Sequence, residues 1–527
     1  MEDLVTTART TVRGGLYILL GNVLSTALLA LTSIIVARAL GPKDYGLYSL
    51  SLVPSSLMAT LITLGINSAV INFVARHLSR GNLEEASKFI LYGGSYSLLS
   101  GTLAALLLVA YSNPLATHLL KRGDLADLVR LTSLALLGQS MLNFSLSTFY
   151  GFNNMRPAAI LRGFQAGMKL SLISALILYG LRERGAIFGH SLSYLLAGLA
   201  GAFAAFRMVK VPLDFKRLTI GAPRGLKQML AYGLPIYFSS LLLGLTVQIS
   251  NIILAAYATD VEIGNYSVAF KLLSLLTLLS SPISMTLFPT FSKFDLAKGR
   301  DKLGKLLRWS VKYTALLLIP SSTYIMLFSA QLIRLVYGAS YVLAPTYLAL
   351  LAVSYLYAGL GSLAIYPFFN GIGMTRTTLA IAFISSATSI SLALPLTLML
   401  RVEGLILANL SGSSAGLAYG LIKLKNAGLK LDLSSSIKIY VVAGSSSLMV
   451  WALKALLPLN GGLVELSVLS PVYTFLYFLI LPFSGSISLR DVDVLRNIFR
   501  GFKPLYTLLS PLLAFEEHLL KLRSKLD

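Results

Sequence analysis

Gly46-Leu-Tyr48-Ser49 and Gly264-Asn-Tyr266-Ser267 sit at matching places in two gapless copies of one pattern, residues 15–50 and 233–268. At the start of each copy Gly15-Leu16 falls on Gly233-Leu234. Within them Ile34, Ile35 and Ala37 fall on Ile252, Ile253 and Ala255. Further along, Phe152-Asn153 meets Phe369-Asn370, and Gly185-Ala-Ile187 meets Gly404-Leu-Ile406. The offset stays near 218 residues across half of the chain. A long unit that recurs at a fixed offset is an internal duplication, and it decides the fold.

The copied unit is apolar. Of the 527 residues, 56% are hydrophobic and 12% charged, and the mean hydropathy is +0.76. Those values belong to an integral membrane protein. A hydrocarbon core of ~30 Å takes ~20 apolar residues per helix, and on that scale fourteen spans are expected, from 14–37 to 463–483. The expected fold is therefore all-α: two parallel six-helix lobes related by a pseudo-twofold axis, plus two C-terminal helices. The lobes are residues 1–210 and 211–430, the extra helices 431–485, and a basic amphipathic tail 486–527. Parallel repeats about an axis along the membrane normal characterise transporters with a substrate path between two halves. The first span lacks a short apolar core followed by a small-residue cleavage site, so it reads as a retained helix.

The net charge of +23 raises the question of nucleic acid, and its distribution excludes that partner. With the N-terminus in the cytoplasm, the termini and even-numbered connections hold 31 of the 44 Lys and Arg residues. The opposite face holds 10, and three lie within spans. One inner loop alone carries Arg207, Lys210, Lys216, Arg217, Arg224 and Lys227. This bias is the positive-inside rule, and it places both termini in the cytoplasm. In the tail, Leu495, Ile498, Phe499 and Phe502 alternate with Arg496, Arg500 and Lys503, a pattern suited to the inner leaflet, with membrane lipids as partners.

Charges inside the bilayer are costly unless paired or hydrated. The three are Arg162 and Lys169 in the fifth span and Lys271 in the eighth; all are positive, and no Asp or Glu is expected at mid-membrane depth. Arg162 and Lys169 are two helical turns apart and share a face with Gln165. Such a face belongs toward a wet cavity, and an anionic substrate head group would supply the missing counter-charge. Arg162 has a second reading, snorkelling to the inner interface. Gln248, Asn251 and Asn67 are weaker candidates, since neutral polar residues often bond neighbouring helices. Pro54, Pro235 and Pro282 are candidate kinks for gating.

Several chemistries are excluded. No GxxxxGK[ST] loop is present, so the chain does not hydrolyse ATP by itself. There is no cysteine, no HExxH and no Cys/His cluster, and neither metal nor other cofactor is expected. His77, His118, His190 and His518 are scattered and read as interfacial or structural. Asp124 and Asp127, in the outer loop 112–128, read as solvated carboxylates rather than catalytic ones.

Ala37-Arg38-Ala-Leu-Gly41-Pro42-Lys-Asp44-Tyr45-Gly46-Leu-Tyr48-Ser49 resembles the first hydrophilic turn of the polysaccharide-biosynthesis (Wzx-like) flippases of the multidrug/oligosaccharidyl-lipid/polysaccharide exporter superfamily. Tyr232-Gly233-Leu-Pro235, Ile263-Gly264-Asn-Tyr266-Ser-Val-Ala269-Phe-Lys271-Leu and Val336-Tyr-Gly338-Ala-Ser-Tyr341 are similar to the same family. The resemblance covers residues 10–425. It implies a flippase of the cell membrane that carries isoprenoid-(pyro)phosphate-linked oligosaccharide from the inner to the outer leaflet by alternating access. Glycan-assembly enzymes would be its partners. It also implies that helices one, two, seven and eight surround a cationic cavity, which makes Lys271 its best-supported contact. Asn251 departs from the family, whose members often carry an acidic residue there. Two other functions compete. A cation-coupled multidrug exporter of the same fold would use buried carboxylates. A polysaccharide polymerase or ligase would be an enzyme with a larger outer domain; the resemblance favours a non-enzyme.

Overall fold

The computed structural model describes residues 2–209, 215–277, 296–429, 431–457, 462–500 and 503–526, with 280, 287 and 291 besides. Among these residues every regular element is a helix. Eight helices are long and apolar enough to cross a membrane, or ten if each of two bent pairs counts as one span. Three of the eight are double. The stretch 21–62 has 42 residues, and 155–206 and 375–426 have 52 each. At ~1.5 Å per residue, 42 residues reach about 63 Å, twice the hydrocarbon core. Each double helix breaks where the backbone leaves the helical region: at Gly41 (φ 73°), at Gly180 and Arg182 (φ 90° and 43°), and at Arg401 (φ 51°). The first break has plain chemistry. Gly41 takes an extended conformation at positive φ, open in practice only to glycine, which ends the first helix, and Pro42, whose fixed φ suits a first turn, begins the next.

The chain forms two compact units, residues 1–271 with 390–405 and residues 272–389 with 406–527. The first holds α1 (Glu2–Ile62), α2 (Ile66–Leu78), α3 (Leu83–Ala110), α4 (Ser133–Gly151), α5 (Met155–Leu176), α6 (Arg182–Phe206), α7 (Phe215–Tyr257) and most of α8 (Asp260–Ser274). Lipid offers no hydrophobic drive between helices, so close backbone approach has to do the packing. It does so where α4 crosses α6. A Cβ on Gly138 or on Gly198 would overlap the other helix's backbone. Around that crossing Val70, Ile90, Phe144 and Phe149 are buried, whereas Leu99, Leu103, Leu106 and Phe203 face outward, as lipid-facing positions do.

The second unit contains α9 (Leu296–Leu327), α10 (Ser329–Val336), α11 (Ala344–Leu356), α12 (Ser362–Gly371), α13 (Thr375–Asn426, shared with the first unit), α14 (Leu433–Leu456) and α15 (Gly462–Phe483). The tail forms two helices, α16 (Leu489–Arg500) and α17 (Lys503–Leu526), packed on each other, with α17 on α15. Ser488 and Asp491 cap α16 reciprocally, the Ser488 hydroxyl donating to Asp491 at 2.6 Å. Burial pushes the Asp491 carboxyl up, but Lys312, 2.7 Å away, and Ser488 hold it below the usual range. Arg523 donates to the Pro482 carbonyl at 2.8 Å, and Val492, Leu513 and Leu520 share a core with Val442 and Tyr477. The side chains of Leu495, Ile498, Phe499 and Phe502 lie outside the described residues.

On α17, Glu516 is 2% exposed and neither carboxylate oxygen has a hydrogen-bond partner. Burial pushes this carboxyl from its usual 4.5 up to about 8. A carboxyl raised in the docked state costs nothing below its ordinary value. The cost grows as pH rises toward the docked value, by about 1.4 kcal/mol for each pH unit. The tail should therefore be cleaved faster by protease at pH 8.5 than at pH 6, and Glu516→Gln should abolish the difference. A native cleavage rate that is level across that range would contradict the assignment.

Candidate functional site

Arg162, Gln165 and Lys169 lie along one face of α5, which packs on α1 and α6. Arg162 is tied to α1, its Nη1 donating to Asn22 Oδ1 at 2.9 Å, while its Nε and the amide nitrogen of the buried Gln165 lack partners. One turn beyond Gln165, Lys169 is half-buried and no carboxylate among the described residues acts on it. The charge that does act on it is Lys271, on α8, whose side chain is exposed. Two ammonium groups, one half-buried and one exposed, thus stand in electrostatic reach of each other.

A third group joins them. His190, on α6, is 7% exposed and within electrostatic reach of both lysines. Its Nδ1 lies 3.2 Å from the Tyr48 hydroxyl, and its ring is 5.0 Å from that of Tyr194. Tyr48 neighbours Tyr45, whose hydroxyl meets Ser33 Oγ at 2.9 Å across the Gly41 break. The sequence reading of His190 is interfacial or structural, and the structure buries it against Tyr48 and Tyr194. The one signal available was its place in the sixth span, one turn beyond the repeated Gly185-Ala-Ile187.

The other candidates fall elsewhere. Asn67 lines a small recess with Tyr96, Ser100, Gln139, Ser140 and Asn143, between α2, α3 and α4. Gln248 and Asn251 lie on α7, and the Gln248 carbonyl oxygen is buried without a partner. Pro54 is buried inside an unbroken stretch of α1. The backbone breaks instead at Leu64-Gly65 (φ 40° and 76°). Tyr96 and Tyr237 donate their hydroxyls to the freed carbonyls of Ile62 and Leu61, at 2.7 and 3.1 Å. Pro235 lies in α7 with its side chain outside the described residues, and Pro282 lies outside them altogether. Among the described residues no group of three or more His, Asp or Glu side chains is placed to hold a metal.

At one end of the first unit the two sequence copies meet. The turn at Pro42 and Gly46 crosses the start of α8 at Asp260 and Gly264. A Cβ on Gly46 would overlap the Asp260 carbonyl, and a Cβ on Gly264 the Pro42 carbonyl. The pairs are related by the repeat. Three ion pairs surround this crossing: Arg182 with Asp44 at 2.5 Å, Arg401 with Glu262 at 3.0 Å, and Arg122 with Asp260. Asp44 and Glu262 correspond in the two copies, as do Arg182 and Arg401, and both arginines have positive φ. The arginines of the two related pairs are 71% and 57% exposed, so each pair contributes at most about 1 kcal/mol. The glycine crossing is the firmer part of this closure.

The family model for polysaccharide biosynthesis proteins matches residues 11–295, and that for the lipid II flippase MurJ matches residues 167–470. The lipid II flippase MurJ of Bacillus subtilis (strain 168) is 23% identical over 451 residues, 78% of this chain and 82% of that protein. A solved structure of lipid II flippase MurJ in an inward closed conformation superposes with a TM-score of 0.70 at 16% identity, covering 87% of this chain and 97% of the other. An inward-facing multidrug resistance MATE transporter of the MOP superfamily gives 0.61 at 17% identity, with coverage of 76% and 95%. The fold is that of MurJ and the MATE transporters, and the protein is a multi-pass membrane transporter of the cell membrane, not an enzyme. With more than half of its length matched by each model, the chain belongs to the polysaccharide biosynthesis and MurJ flippase families.

Proposed function

We propose that this protein moves an isoprenoid-(pyro)phosphate-linked oligosaccharide from the inner to the outer leaflet by alternating access, for cell-surface glycan assembly. The observation that carries this reading is the pair of like-charged side chains Lys169 and Lys271 within electrostatic reach of each other, with no carboxylate acting on Lys169 among the described residues. A pyrophosphate on a sugar chain cannot enter hydrocarbon unaided, because each unsatisfied polar group costs several kcal/mol. A wet cationic pocket replaces the lost hydration and attracts the phosphates, while two or three cations leave release within reach. Similarity to MurJ supports a lipid-linked substrate. The positive-inside bias supports fourteen spans with both termini in the cytoplasm, and the three double helices supply two spans each. In that orientation the Gly46–Gly264 crossing and its ion pairs form the outer gate. Glycan-assembly enzymes on either face would deliver the substrate and consume the product.

The MATE-like alternative, a cation-coupled drug exporter, draws on the shared fold. The two readings differ in the sign of the ligand. Farnesyl pyrophosphate should raise the melting temperature of the detergent-solubilised protein, and the cationic dye ethidium should leave it unchanged. The reverse pattern would transfer the chain to the exporter reading.

A further inference from the structure

Where α15 hands over to the tail, the second unit carries a cationic cluster that the transport reading leaves unused. α15 stops at Phe483, and the turn Ser484-Gly485-Ser486 follows, with Gly485 at positive φ (70°). The serines hold this turn. Their hydroxyls meet at 2.6 Å, and Ser484 donates to the Leu481 carbonyl at 2.7 Å. A Cβ on Gly485 would lie 3.2 and 3.5 Å from the two Nη atoms of Arg523, on α17, and 3.4 Å from Lys438 Nζ, on α14. Two cationic heads from different helices thus converge on one point, which the glycine leaves open.

Like charges this close repel, so the arrangement favours an anion between them. Lys438 is exposed and makes no hydrogen bond or ion pair with a described residue. The nearby carboxylates are engaged elsewhere. Asp432 caps α14 through Ser435, and Asp491 is held by Lys312 at 2.7 Å. Glu517 pairs with Arg496 and Lys521 at 2.5 Å each, and Glu516 is buried with neither oxygen bonded. Arg496, read from the sequence as a cation for the inner leaflet, is thus paired within the tail. The surroundings indicate where the anion comes from. Ile437, just before Lys438, Val441 one turn on, Phe483 at the end of α15 and Leu522 beside Arg523 are all exposed apolar side chains. Cationic heads at the end of an apolar span, with hydrocarbon-seeking side chains around them, suit the depth of phospholipid phosphates.

We infer that Lys438 and Arg523 form a binding site for the phosphate of an anionic membrane phospholipid, and that the bound lipid fastens α17 to α14. A guanidinium offers paired donors to phosphate oxygens, and an ammonium adds a point charge. The Arg523 fork is set beside the turn by its Nη1 donation to the Pro482 carbonyl at 2.8 Å. The lipid here is a ligand of the tail, separate from the cargo.

The test is chymotryptic cleavage of the tail in the detergent-solubilised full chain, with lipid added to the micelles. A ligand that binds only the docked tail lowers the undocked population by 1 + [L]/Kd, so lipid at about ten times Kd slows cleavage roughly tenfold. Dioleoyl phosphatidylglycerol should do this. Dioleoyl phosphatidylcholine, with the same chains and no net charge, should leave the rate within about twofold of the lipid-free one. Lys438→Gln removes no contact within the chain, so it should be cleaved at the native rate without lipid. Phosphatidylglycerol should then protect it by less than about twofold, whereas Lys438→Arg should keep the native protection. Equal protection of the native and Gln chains, equal protection by the two lipids, or no protection of the native chain would each overturn the inference. Inorganic phosphate at matched ionic strength should not protect; protection equal to that by phosphatidylglycerol would overturn the assignment to lipid.

Discussion

Lys169→Gln and Lys271→Gln are each expected to cut translocation of the lipid-linked oligosaccharide by at least tenfold, and the double variant to reach the background of empty vesicles. The magnitude follows from what each charge does. An ammonium–phosphate hydrogen bond contributes about 1.5–3 kcal/mol, a factor of about 10 to 150 at 1.4 kcal/mol per decade. The two losses will not add, because the lysines act on the same anion and on each other. Stability should move in the opposite direction. Removing one of two repelling charges relieves the ligand-free pocket, so the variants should melt no lower than the native chain. Lys271→Arg should keep most of the transport, since Lys271 is open enough to admit the larger fork. Unaltered transport in both Gln variants would remove the pocket from the mechanism.

The second large effect is expected at the glycine crossing. Gly46→Ala and Gly264→Ala add one carbon each, yet that carbon would overlap a backbone carbonyl of the other sequence copy. Backbone cannot yield as a flexible side chain does, and overpacking of this kind costs about 1–3 kcal/mol. The closed crossing should therefore lose population by roughly 5- to 150-fold. Neutralising Arg401 or Arg182 removes an exposed ion pair and should shift the same balance by less than fivefold. The absence of cysteine in the native chain gives a clean readout. Ser267→Cys, one turn beyond Gly264, should resist an impermeant maleimide applied from outside in the native background and label rapidly beside Gly264→Ala. Equal labelling rates would show that the crossing does not gate access.

The duplication was legible because membrane helices repeat their glycines and helix ends wherever backbones must meet. Gly46 and Gly264 aligned in the sequence, and in the structure each packs on the other copy's helix start. Lys169 and Lys271 stand out in the sequence for a different reason: a charge in an apolar span has few places to go. What escaped notice depended on partners distant in sequence. His190 looks like any span histidine until Tyr48, 142 residues away, is placed against it. Arg162 read as either a cavity or an interface residue, and its bond to Asn22 was not predictable from spacing along α5. The break at Leu64-Gly65 carries no proline to mark it, and the tyrosine hydroxyl that caps its freed carbonyl cannot be read from sequence. Helix counts from hydropathy also differ from helices in space, since Gly41, Gly180 and Arg401 turn the chain within continuous helical runs.

The central claim is that this chain carries an anionic lipid-linked glycan across the bilayer. The most direct measurement reconstitutes the native protein in vesicles with a fluorescent isoprenoid-pyrophosphate oligosaccharide and follows the probe's accessibility to an impermeant glycosidase. Nearly all of the probe is expected to become accessible with native protein and only the outer-leaflet half with Lys169→Gln/Lys271→Gln. A native protein that exposes no more probe than empty vesicles do, while it moves a cationic dye, would contradict it.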